Sequence, residues 1–391
     1  MSLVTEPAAR VTGWRESPGF GVYVHIPFCL RRCHYCDFNT YEGQGALHEP
    51  YARAVVAEIE RTRIGAGPAT SVFFGGGTPT LLRAPLLGAI LGVIGDALGI
   101  VEDAEVTVEA NPETVDEKTC EALLEAGFNR FSIGVQSLRP HVLAGLGRTH
   151  SAARALDALR AARRAGVTNL NADLIYGSPW ERPDDWVASL RAVVEAEPHH
   201  VSAYALTVEE GTPLHTLVAT GRVADVDPDV QAERFEIAEE QLAAAGYRRY
   251  EVSNWARPGA ESRHNLLYWS AGDYLGFGAG AHSHRAGRRW WSLRLPRDFI
   301  AAVGEGRPTE AGCERLSPDE RAGEALVLGL RLTSGVDTRG FARRFGPQAL
   351  EARREAVEEL VARGLLELAG TYLRVPRPVT LVANEVACRL L

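Results

Sequence analysis

The sequence has almost no lysine and no long hydrophobic run. Lys118 is the single lysine among 42 basic residues, and 50 acidic residues give the 391-residue chain a formal net charge of −8. This acidic balance argues against nucleic acid as the default partner, because phosphate binding depends on an excess of Lys and Arg. No apolar stretch reaches the roughly 20 residues of a membrane-spanning helix. The chain also lacks tandem repeats and low-complexity tracts, so its composition is typical of a globular protein.

Cysteine is scarce too, and three of the six cysteines lie within eight residues. Residues 23–39 read Y-V-H-I-P-F-C-L-R-R-C-H-Y-C-D-F-N and contain Cys29, Cys33 and Cys36. On a loop, this spacing can turn three thiolates toward one centre and leave one iron of a cuboidal cluster without a protein ligand. We therefore predict a [4Fe–4S] cluster bound by these three cysteines.

Two alternative roles for these cysteines stay open. A structural zinc ion could take His25 or His34 as its fourth ligand, although zinc ligands usually come as two spaced pairs. Disulfides fit less well, because three close cysteines leave one unpaired and the N-terminus does not read as a secretory signal. We therefore expect the reducing cytoplasm. The remaining cysteines are isolated, and we interpret them as small buried hydrophobic residues: Cys120, Cys313 and Cys388.

Strands alternate with helices through the first half of the chain. The predicted strands are residues 21–26, 70–80 (a strand that runs into glycines), 105–110, 130–135, 169–175 and 200–205. The predicted helices are residues 49–63, 116–126, 151–165 and 184–196. Such alternation predicts right-handed βαβ units and a parallel sheet. Six units fit, which is too few for an eight-stranded barrel.

The pattern changes twice further along the chain. Beyond residue 210 only one long helix, residues 228–245, is clear, and an aromatic-rich and glycine-rich run follows it. From about residue 317, three helices and short strands near residues 372–375 predict a winged-helix-like domain, a shape that does not by itself imply DNA binding. We therefore divide the chain into a lead (1–20), an α/β core (21–210), an irregular extension (211–316) and a helical winged-helix-like domain (317–391).

Polar residues and glycines follow the predicted parallel strands. The glycine-rich stretch G-G-G-T-P begins at Gly75, and Glu109, Gln136 and Asp173 lie at the ends of later strands. Arg148 lies beyond one of these ends. Ligand sites of parallel α/β proteins lie at the carboxyl ends of the strands, so these residues are candidates for one site.

The C-x3-C-x2-C spacing, with aromatic Tyr35 just before the last cysteine, resembles the radical S-adenosylmethionine (SAM) superfamily. That resemblance implies a partial (β/α)6 barrel and SAM bound at the iron without a protein ligand. It also implies the residues that would contact SAM, with the glycine-rich loop at its methionine end: Tyr23, Gly76, Gly77, Thr78 and Glu109.

The phrases G-V-Q-S, G-R-T-H and N-A-D-L-I-Y-G-S-P resemble the oxygen-independent coproporphyrinogen III oxidase family. The resemblance covers nearly the whole chain from Tyr23 onward. It implies that Gln136, Arg148 and Asp173 line a pocket for a second SAM. Whether one or two SAM molecules bind stays open.

One departure from the oxidase pattern separates two groups within this family. The oxidases carry a fourth cysteine two residues after the third, where this chain has Phe38. In this feature the chain resembles the HemW-type heme chaperones. It also resembles them in the short N-terminal arm of 28 residues ahead of Cys29 and in the phrase S-R-H-N-L-L-Y-W (residues 262–269). The phrase implies a heme site at His264, and His282 and His284 are alternative ligands. A buried structural role for His264 is the competing interpretation.

The predicted function is therefore a heme chaperone that binds a [4Fe–4S] cluster, SAM and heme, with no catalytic residue assigned. It would deliver heme to acceptor proteins, transiently bound membrane proteins among them, and would not bind nucleic acid. The alternative function is coproporphyrinogen III oxidase, which would use a SAM-derived radical to decarboxylate two propionates. A winged-helix regulator is disfavoured by the acidic charge and by the absence of a basic recognition helix.

Overall fold

The computed structural model describes residues 13–62, 65 and 67–391. Residues 1–12 of the predicted lead and Arg63 at the predicted end of the first helix lie outside the described residues. The strands are β1 (Phe20–Ile26), β2 (Phe28–Cys29), β3 (Tyr41–Glu42), β4 (Ala69–Gly76), β5 (Ile100–Ala110), β6 (Arg130–Gln136), β7 (Leu170–Tyr176), β8 (His200–Ala205), β9 (Arg248–Arg249), β10 (Asn254–Ala256), β11 (Asp273–Phe277), β12 (His282–Arg285), β13 (Arg288–Ser292), β14 (Glu310–Arg315), β15 (Val336–Asp337), β16 (Glu367–Ala369) and β17 (Tyr372–Arg374).

The helices follow the strands in alternation through the first half of the chain. They are α1 (His48–Arg61), α2 (Ala84–Leu98), α3 (Glu117–Glu125), α4 (Pro140–Leu146), α5 (Ala152–Arg164), α6 (Pro183–Glu195), α7 (Pro213–Ala219), α8 (Pro228–Ala244), α9 (Arg263–Trp269), α10 (Pro296–Gly304), α11 (Pro318–Gly329), α12 (Thr338–Phe345), α13 (Gln348–Glu351), α14 (Arg354–Ala362) and α15 (Ala383–Cys388). Short 3₁₀ turns cover Gly45–Leu47, Pro79–Leu81, Pro112–Thr114 and Arg377–Val382. No described helix is long and apolar enough to cross a membrane.

Six parallel strands form the centre of a twelve-stranded sheet. The strand order is β14-β13-β12-β11-β1-β4-β5-β6-β7-β8-β10-β9, and β1, β4, β5, β6, β7 and β8 pair in parallel. Each parallel strand returns through a helical connection, as βαβ units require. The predicted α/β class, a partial (β/α)6 barrel, is confirmed.

The parallel strands are apolar along most of their length because both faces are covered. Val22, Val72, Val108, Ile133 and Val201 are all fully buried in the main core. Branched side chains pack well on a pleated surface, and burying each one fully is worth roughly 1.5–3 kcal/mol. This core holds the carboxyl ends of the six strands in a fixed row.

The segment expected to be irregular is regular over much of its length. Strand β11 adds in parallel to the free edge of β1, and β12, β13 and β14 continue the sheet antiparallel. These strands are short and contain many polar, charged or glycine residues, so they show no apolar alternation in the sequence. The sheet therefore crosses residue 210, and the predicted domain boundary there stays a prediction.

The C-terminal segment has its own core. Helices α11, α12 and α14 pack with the small sheet β15-β17-β16, as the winged-helix-like prediction describes. The core of this unit also includes Trp14, Tyr250 and Leu266 from earlier in the chain. The C-terminal unit therefore docks on the segment around α9.

The three isolated cysteines lie in different environments. Cys120 is buried on α3, as expected for a small hydrophobic residue. Cys313 and Cys388 are exposed, so the prediction of burial is wrong for these two. Cys313 lies on β14, which is the edge strand of the main sheet, and Cys388 ends α15 close to the C-terminus.

Candidate functional site

A cavity of about 400 Å³ lies at the carboxyl ends of the parallel strands. We refer to it as the strand-end cavity. Every thiol of the cysteine motif lines it, as do most of the predicted SAM residues. Its lining includes Cys29, Cys33, Tyr35, Cys36, Phe38, Gly76, Gly77, Glu109, Asn111, Ser132, Gln136, Arg148, Asp173 and Tyr204.

The cysteine loop begins where β1 ends, and hydrogen bonds fix both histidines near it. The His25 ring bonds the Tyr23 hydroxyl at 2.9 Å and the Asn39 carbonyl at 2.9 Å. The His34 ring bonds the Gly145 carbonyl at 2.9 Å, and the His34 backbone N–H donates to Leu146. Each of the two histidines that could supply a fourth zinc ligand therefore already makes a ring hydrogen bond that holds the loop.

The donor set fits an iron–sulfur cluster. No three His, Cys, Asp or Glu side chains of the described residues converge as they would around a single metal ion. A cuboidal cluster needs no such convergence, because each thiolate binds a different iron. Burial raises the pKa of the Cys29 thiol to about 11, so ionising that thiol requires a positive partner such as iron.

Glycines let the end of β4 lie directly against the cysteine loop. The Gly77 N–H donates to the Ile26 carbonyl at 2.9 Å, and the Thr78 N–H donates to the Phe28 carbonyl at 2.8 Å. A side chain at Gly77 would place its Cβ 2.5 Å from the Phe28 oxygen. Gly76 adopts a φ of 114°, which favours glycine. The glycines therefore fix the position of Cys29 beside the strand ends.

Glu109 lies at the end of β5 and faces the same cavity. Its Oε2 accepts the Gly76 N–H at 3.1 Å. Burial, and then the nearby Asp173 carboxylate, raises the pKa of Glu109 to about 8. A cationic ligand beside it would favour the ionised form, which suits the predicted contact with the ammonium-bearing SAM.

A chain of hydrogen bonds joins two of the cysteines. The Arg148 guanidinium donates to the Cys33 sulfur at 3.2 Å and to the Asn111 side-chain oxygen at 2.6 Å. The Asn111 amide donates to the Thr78 hydroxyl at 2.8 Å, and that hydroxyl lies 4.0 Å from the Cys29 sulfur. The network holds Cys33 and Cys29 in fixed positions at the cavity, so it can support a bound cluster.

The ends of β6 and β7 form the far wall of the cavity. Gln136 has a φ of 63°, a strained conformation for a residue other than glycine. Burial raises the pKa of Asp173, although its carboxylate accepts a hydrogen bond from the Ser132 hydroxyl at 2.7 Å. Together with Arg148, these residues form a polar wall of the cavity, where the resemblance implied a second SAM.

A second cavity, of about 730 Å³, adjoins the first. We refer to it as the aromatic cavity. Phe38, Gly76 and Glu109 line both cavities, so the two spaces meet there. Tyr23, a predicted SAM contact, lines the aromatic cavity and not the strand-end cavity. The remaining lining residues are His25, Asn39, Tyr268, Tyr274, Gly280, His282, Trp291, Ser292 and Arg294.

The residues of the H-N-x-x-Y-W phrase lie in three different environments. His264 is buried, and its ring bonds the Ser71 hydroxyl at 2.9 Å and stacks on Phe73. Burial lowers the pKa of His264 to about 3. Tyr268 lines the aromatic cavity, and Trp269 packs beneath the Arg331 guanidinium of the C-terminal unit. His264 therefore lines neither cavity, and its predicted heme contact stays a prediction.

The sequence-based reasoning missed several residues of both cavities. Asn111 follows Glu109 by two positions at the end of β5, so the strand-end argument could have included it. Tyr274, Trp291 and Arg294 gave no such signal, because β11 and β13 were not recognised as strands of the main sheet.

Comparisons with known proteins agree with the fold. Residues 23–193 match the family model of the radical SAM superfamily, and residues 316–378 match the HemN C-terminal domain. The chain is 42% identical to heme chaperone HemW of Mycobacterium tuberculosis strain H37Rv, over 98% of both chains. It is 33% identical to heme chaperone HemW of Escherichia coli K12, over 94% of this chain and 97% of that protein.

A solved structure confirms the fold. Coproporphyrinogen III oxidase (HemN) of Escherichia coli superposes with a TM-score of 0.82, covering 97% of this chain and 91% of that one at 21% identity. That likeness concerns the fold alone. The identities extend over nearly the full length, and they agree with the cysteine loop, the parallel strands and the C-terminal unit. The chain therefore belongs to the radical SAM superfamily and, within it, to the HemW family of heme chaperones.

Proposed function

We propose that this protein is a heme chaperone that binds a [4Fe–4S] cluster, SAM and heme and delivers heme to acceptor proteins. The observation that carries the proposal is the 42% identity to heme chaperone HemW of Mycobacterium tuberculosis over 98% of both chains. The rings of Tyr268, Tyr274 and Trp291, which lie beside the predicted SAM contacts, suit a flat and largely apolar ligand.

In this proposal the strand-end cavity holds the cluster, and SAM lies where this cavity meets the aromatic cavity, beside Tyr23, Gly76 and Glu109. Cys29, Cys33 and Cys36 would bind three irons, and the backbone at Gly76 would approach the methionine end of SAM. The bound group would supply one-electron redox chemistry, which amino-acid side chains alone do not provide. Glu109 would place a carboxylate at one side of that site, and Arg148 would place a guanidinium at the other.

Phe38 supports the chaperone over the oxidase. It stands where the oxidases carry a further cysteine, and 62% of its side chain is exposed at the junction of the two cavities. No described feature favours decarboxylation, and the likeness to the solved oxidase extends to the fold alone. The names of the curated relatives, heme chaperone HemW, support the same choice. The acceptors and the cytoplasmic location remain predictions.

The test uses protein reconstituted anaerobically with iron and sulfide. It is incubated with SAM, a reductant and either coproporphyrinogen III or heme, and the tetrapyrroles are then analysed by chromatography. A chaperone leaves both compounds chemically unchanged and retains heme through gel filtration. Formation of protoporphyrinogen over multiple turnovers would instead show an oxidase.

A further inference from the structure

A third cavity, of about 470 Å³, lies where the C-terminal unit meets the last strands of the main sheet. We refer to it as the junction cavity. Among the described residues, none lines both this cavity and either of the other two. One wall comes from α8 and β9, and the other comes from the residues after α11, from β16 and β17, and from the segment that follows β17. The junction cavity is therefore separate from the cysteine motif and is built by both units.

Positive charge is in excess in the junction cavity. Its described lining contains four arginines and two glutamates, which are Arg249, Arg331, Arg374, Arg377, Glu239 and Glu367. The whole chain has a formal net charge of −8, so this local excess of two positive charges does not follow from composition. A concave site with an excess of one sign of charge attracts ligands of the opposite sign.

The two glutamates are already engaged with three of the arginines. Glu239 accepts a hydrogen bond from the Arg249 guanidinium at 2.5 Å, and its other oxygen lies 3.3 Å from Arg377. Glu367 pairs with Arg374 across the small C-terminal sheet. One carboxylate thus serves two guanidinium groups and the other serves one.

Arg331 lines the same cavity without a partner of this kind. Its Nε is buried and has no hydrogen-bond partner, and no described carboxylate lies within ion-pair distance of it. The Trp269 ring lies 4.7 Å from its guanidinium and holds that group in place. The buried Glu251 acts on Arg331 only from farther away, because its carboxylate accepts hydrogen bonds from Ser253 and Asn254, and burial raises its pKa. A buried guanidinium that lacks an acceptor in the protein is suited to bind one in a ligand.

The remaining surface of the junction cavity is largely apolar. It includes Val252, Leu330, Leu332, Val375, Pro376, Pro378 and Ala383. Cavities of roughly 300–1,000 Å³ hold small organic molecules, so a bare inorganic anion would leave most of this surface without a contact. Guanidinium groups bind phosphate through parallel hydrogen bonds, and a phosphate monoester carries about two negative charges at neutral pH. That charge matches the excess of two in the lining.

We propose that the junction cavity binds an organic phosphate monoester, with Arg331 donating to the phosphate and the other three arginines supplying the surrounding positive charge. The organic part of the ligand packs on the apolar surface beside Leu332 and Val375. Because both units build the walls, the bound ligand holds the C-terminal unit on the main sheet. This site is independent of the proposed heme-chaperone function.

The first test titrates two ligands of similar shape, phenyl phosphate and phenyl sulfate, into the reconstituted protein with its cluster and SAM bound. At about pH 8 the phosphate ester carries two negative charges and the sulfate ester carries one. We expect a Kd below about 1 mM for phenyl phosphate by calorimetry. Phenyl sulfate should bind about tenfold more weakly or worse, because it lacks the second charge. Inorganic phosphate should also bind more weakly, because it has no apolar part.

The second test uses Arg331→Gln and the matched control Arg363→Gln. Arg363 is an exposed arginine that follows α14, pairs with Glu359 at 3.1 Å and lies outside the cavity. Arg331→Gln should lose about tenfold or more of its affinity for phenyl phosphate, and the control should lose none. Because Arg331→Gln also removes the contact with Trp269, Arg374→Gln is a further variant, and it should weaken binding without changing that contact.

Thermal unfolding in the presence of phenyl phosphate gives a second readout. A ligand that binds only the folded state raises the melting temperature by mass action, so the wild-type protein and Arg363→Gln should both be stabilised and Arg331→Gln should not. Unchanged affinity in both Arg331→Gln and Arg374→Gln would show that phenyl phosphate binds elsewhere and would overturn the proposal. Equal affinity for phenyl phosphate and inorganic phosphate, or for phenyl phosphate and phenyl sulfate, would also overturn it, as would the absence of binding to the wild-type protein.

Discussion

At the scale of single residues, the account depends first on the three cysteines of the strand-end cavity. Replacing Cys29, Cys33 or Cys36 with Ala should abolish the oxygen-labile [4Fe–4S] centre, because three protein thiolates are the minimum set in this loop. The measurement is the iron and sulfide content of each variant after anaerobic reconstitution, together with the absorption of the cluster. Full incorporation in all three variants would rule out the assignment.

The exposed cysteines provide matched controls. Cys313 and Cys388 lie outside both cavities. Their Ala variants should incorporate the cluster as the wild-type protein does, which separates a specific loss from the general effect of removing a thiol.

Glu109 makes the stability of the cofactor-free protein depend on pH. Its folded-state pKa of about 8 lies above the usual 4.5, so the folded state binds the proton more tightly than the unfolded state. The stability that this provides is present below pH 4.5 and is lost as the pH rises through about 8. The free energy of unfolding of Glu109→Gln should therefore decrease less between about pH 5 and pH 8 than that of the wild-type protein.

Chemical unfolding at the two pH values measures this difference. Burial also raises the pKa of Glu58, to about 7, so that residue adds a dependence of the same sign. Glu109→Gln should therefore retain part of the dependence and lose the rest. Identical dependence in the variant and the wild-type protein would contradict the role given to Glu109.

At the scale of elements, the loop after β4 should control access of SAM. Gly76→Ala introduces a methyl group at a φ of 114°, where its Cβ would meet the His25 ring at 2.5 Å. We expect SAM binding to weaken while the cluster is still incorporated, because the side chain keeps the ligand from the backbone. Equilibrium binding of SAM to the reconstituted variant is the measurement.

Gly259→Ala is the control for backbone strain. Gly259 has a φ of 86°, and a Cβ there would meet no atom within 4 Å. The control should lose stability through the same kind of strain but bind SAM normally. Equal losses of SAM affinity in the two variants would mean that strain, and not the loop, causes the effect.

The elements also show how far the sequence could predict this structure. The strands that carry the site are short, largely apolar runs that alternate with helices, and β1, β4, β5, β6, β7 and β8 were all predicted on that pattern. Helix α2 was missed because apolar and small residues cover most of its surface and show no clear period. Strand β11 was missed because its five residues, D-Y-L-G-F, show no apolar alternation.

The residues of the candidate site also fall into those that the sequence predicts and those that it does not. Spacing predicts the three thiols, because they are neighbours in the sequence. The sequence left burial of His264 as a competing interpretation and could not decide for it, since its partner Ser71 is 193 residues away. The aromatic cavity could not be predicted either, because its wall forms only when β11 pairs with β1 and β13 joins the same sheet through β12.

At the scale of the whole molecule, helix α9 connects the aromatic cavity to the C-terminal unit. Trp269 lies 4.7 Å from the Arg331 guanidinium, and the Arg344 guanidinium donates to the Ser270 carbonyl at 2.5 Å. Trp269→Ala should destabilise the protein by about 3 kcal/mol through lost packing. It should leave the heme spectrum unchanged, because Trp269 does not line the cavity.

Thermal unfolding and heme titration of the same variant check this expectation. Tyr268→Ala is the complementary variant, since Tyr268 lies on the same helix and lines the cavity. It should weaken heme binding. A Trp269→Ala variant that is stable but no longer binds heme would place the tryptophan at the ligand and contradict this division of the motif.

The central claim is that the protein carries heme and does not transform a porphyrinogen. The most direct measurement supplies reconstituted protein with SAM, reductant, heme and coproporphyrinogen III together, followed by gel filtration and chromatography of the tetrapyrroles. The account predicts that unmodified heme elutes with the protein and that coproporphyrinogen III is recovered unchanged. Protoporphyrinogen formed over multiple turnovers, with no heme in the protein fraction despite an intact cluster, would contradict it.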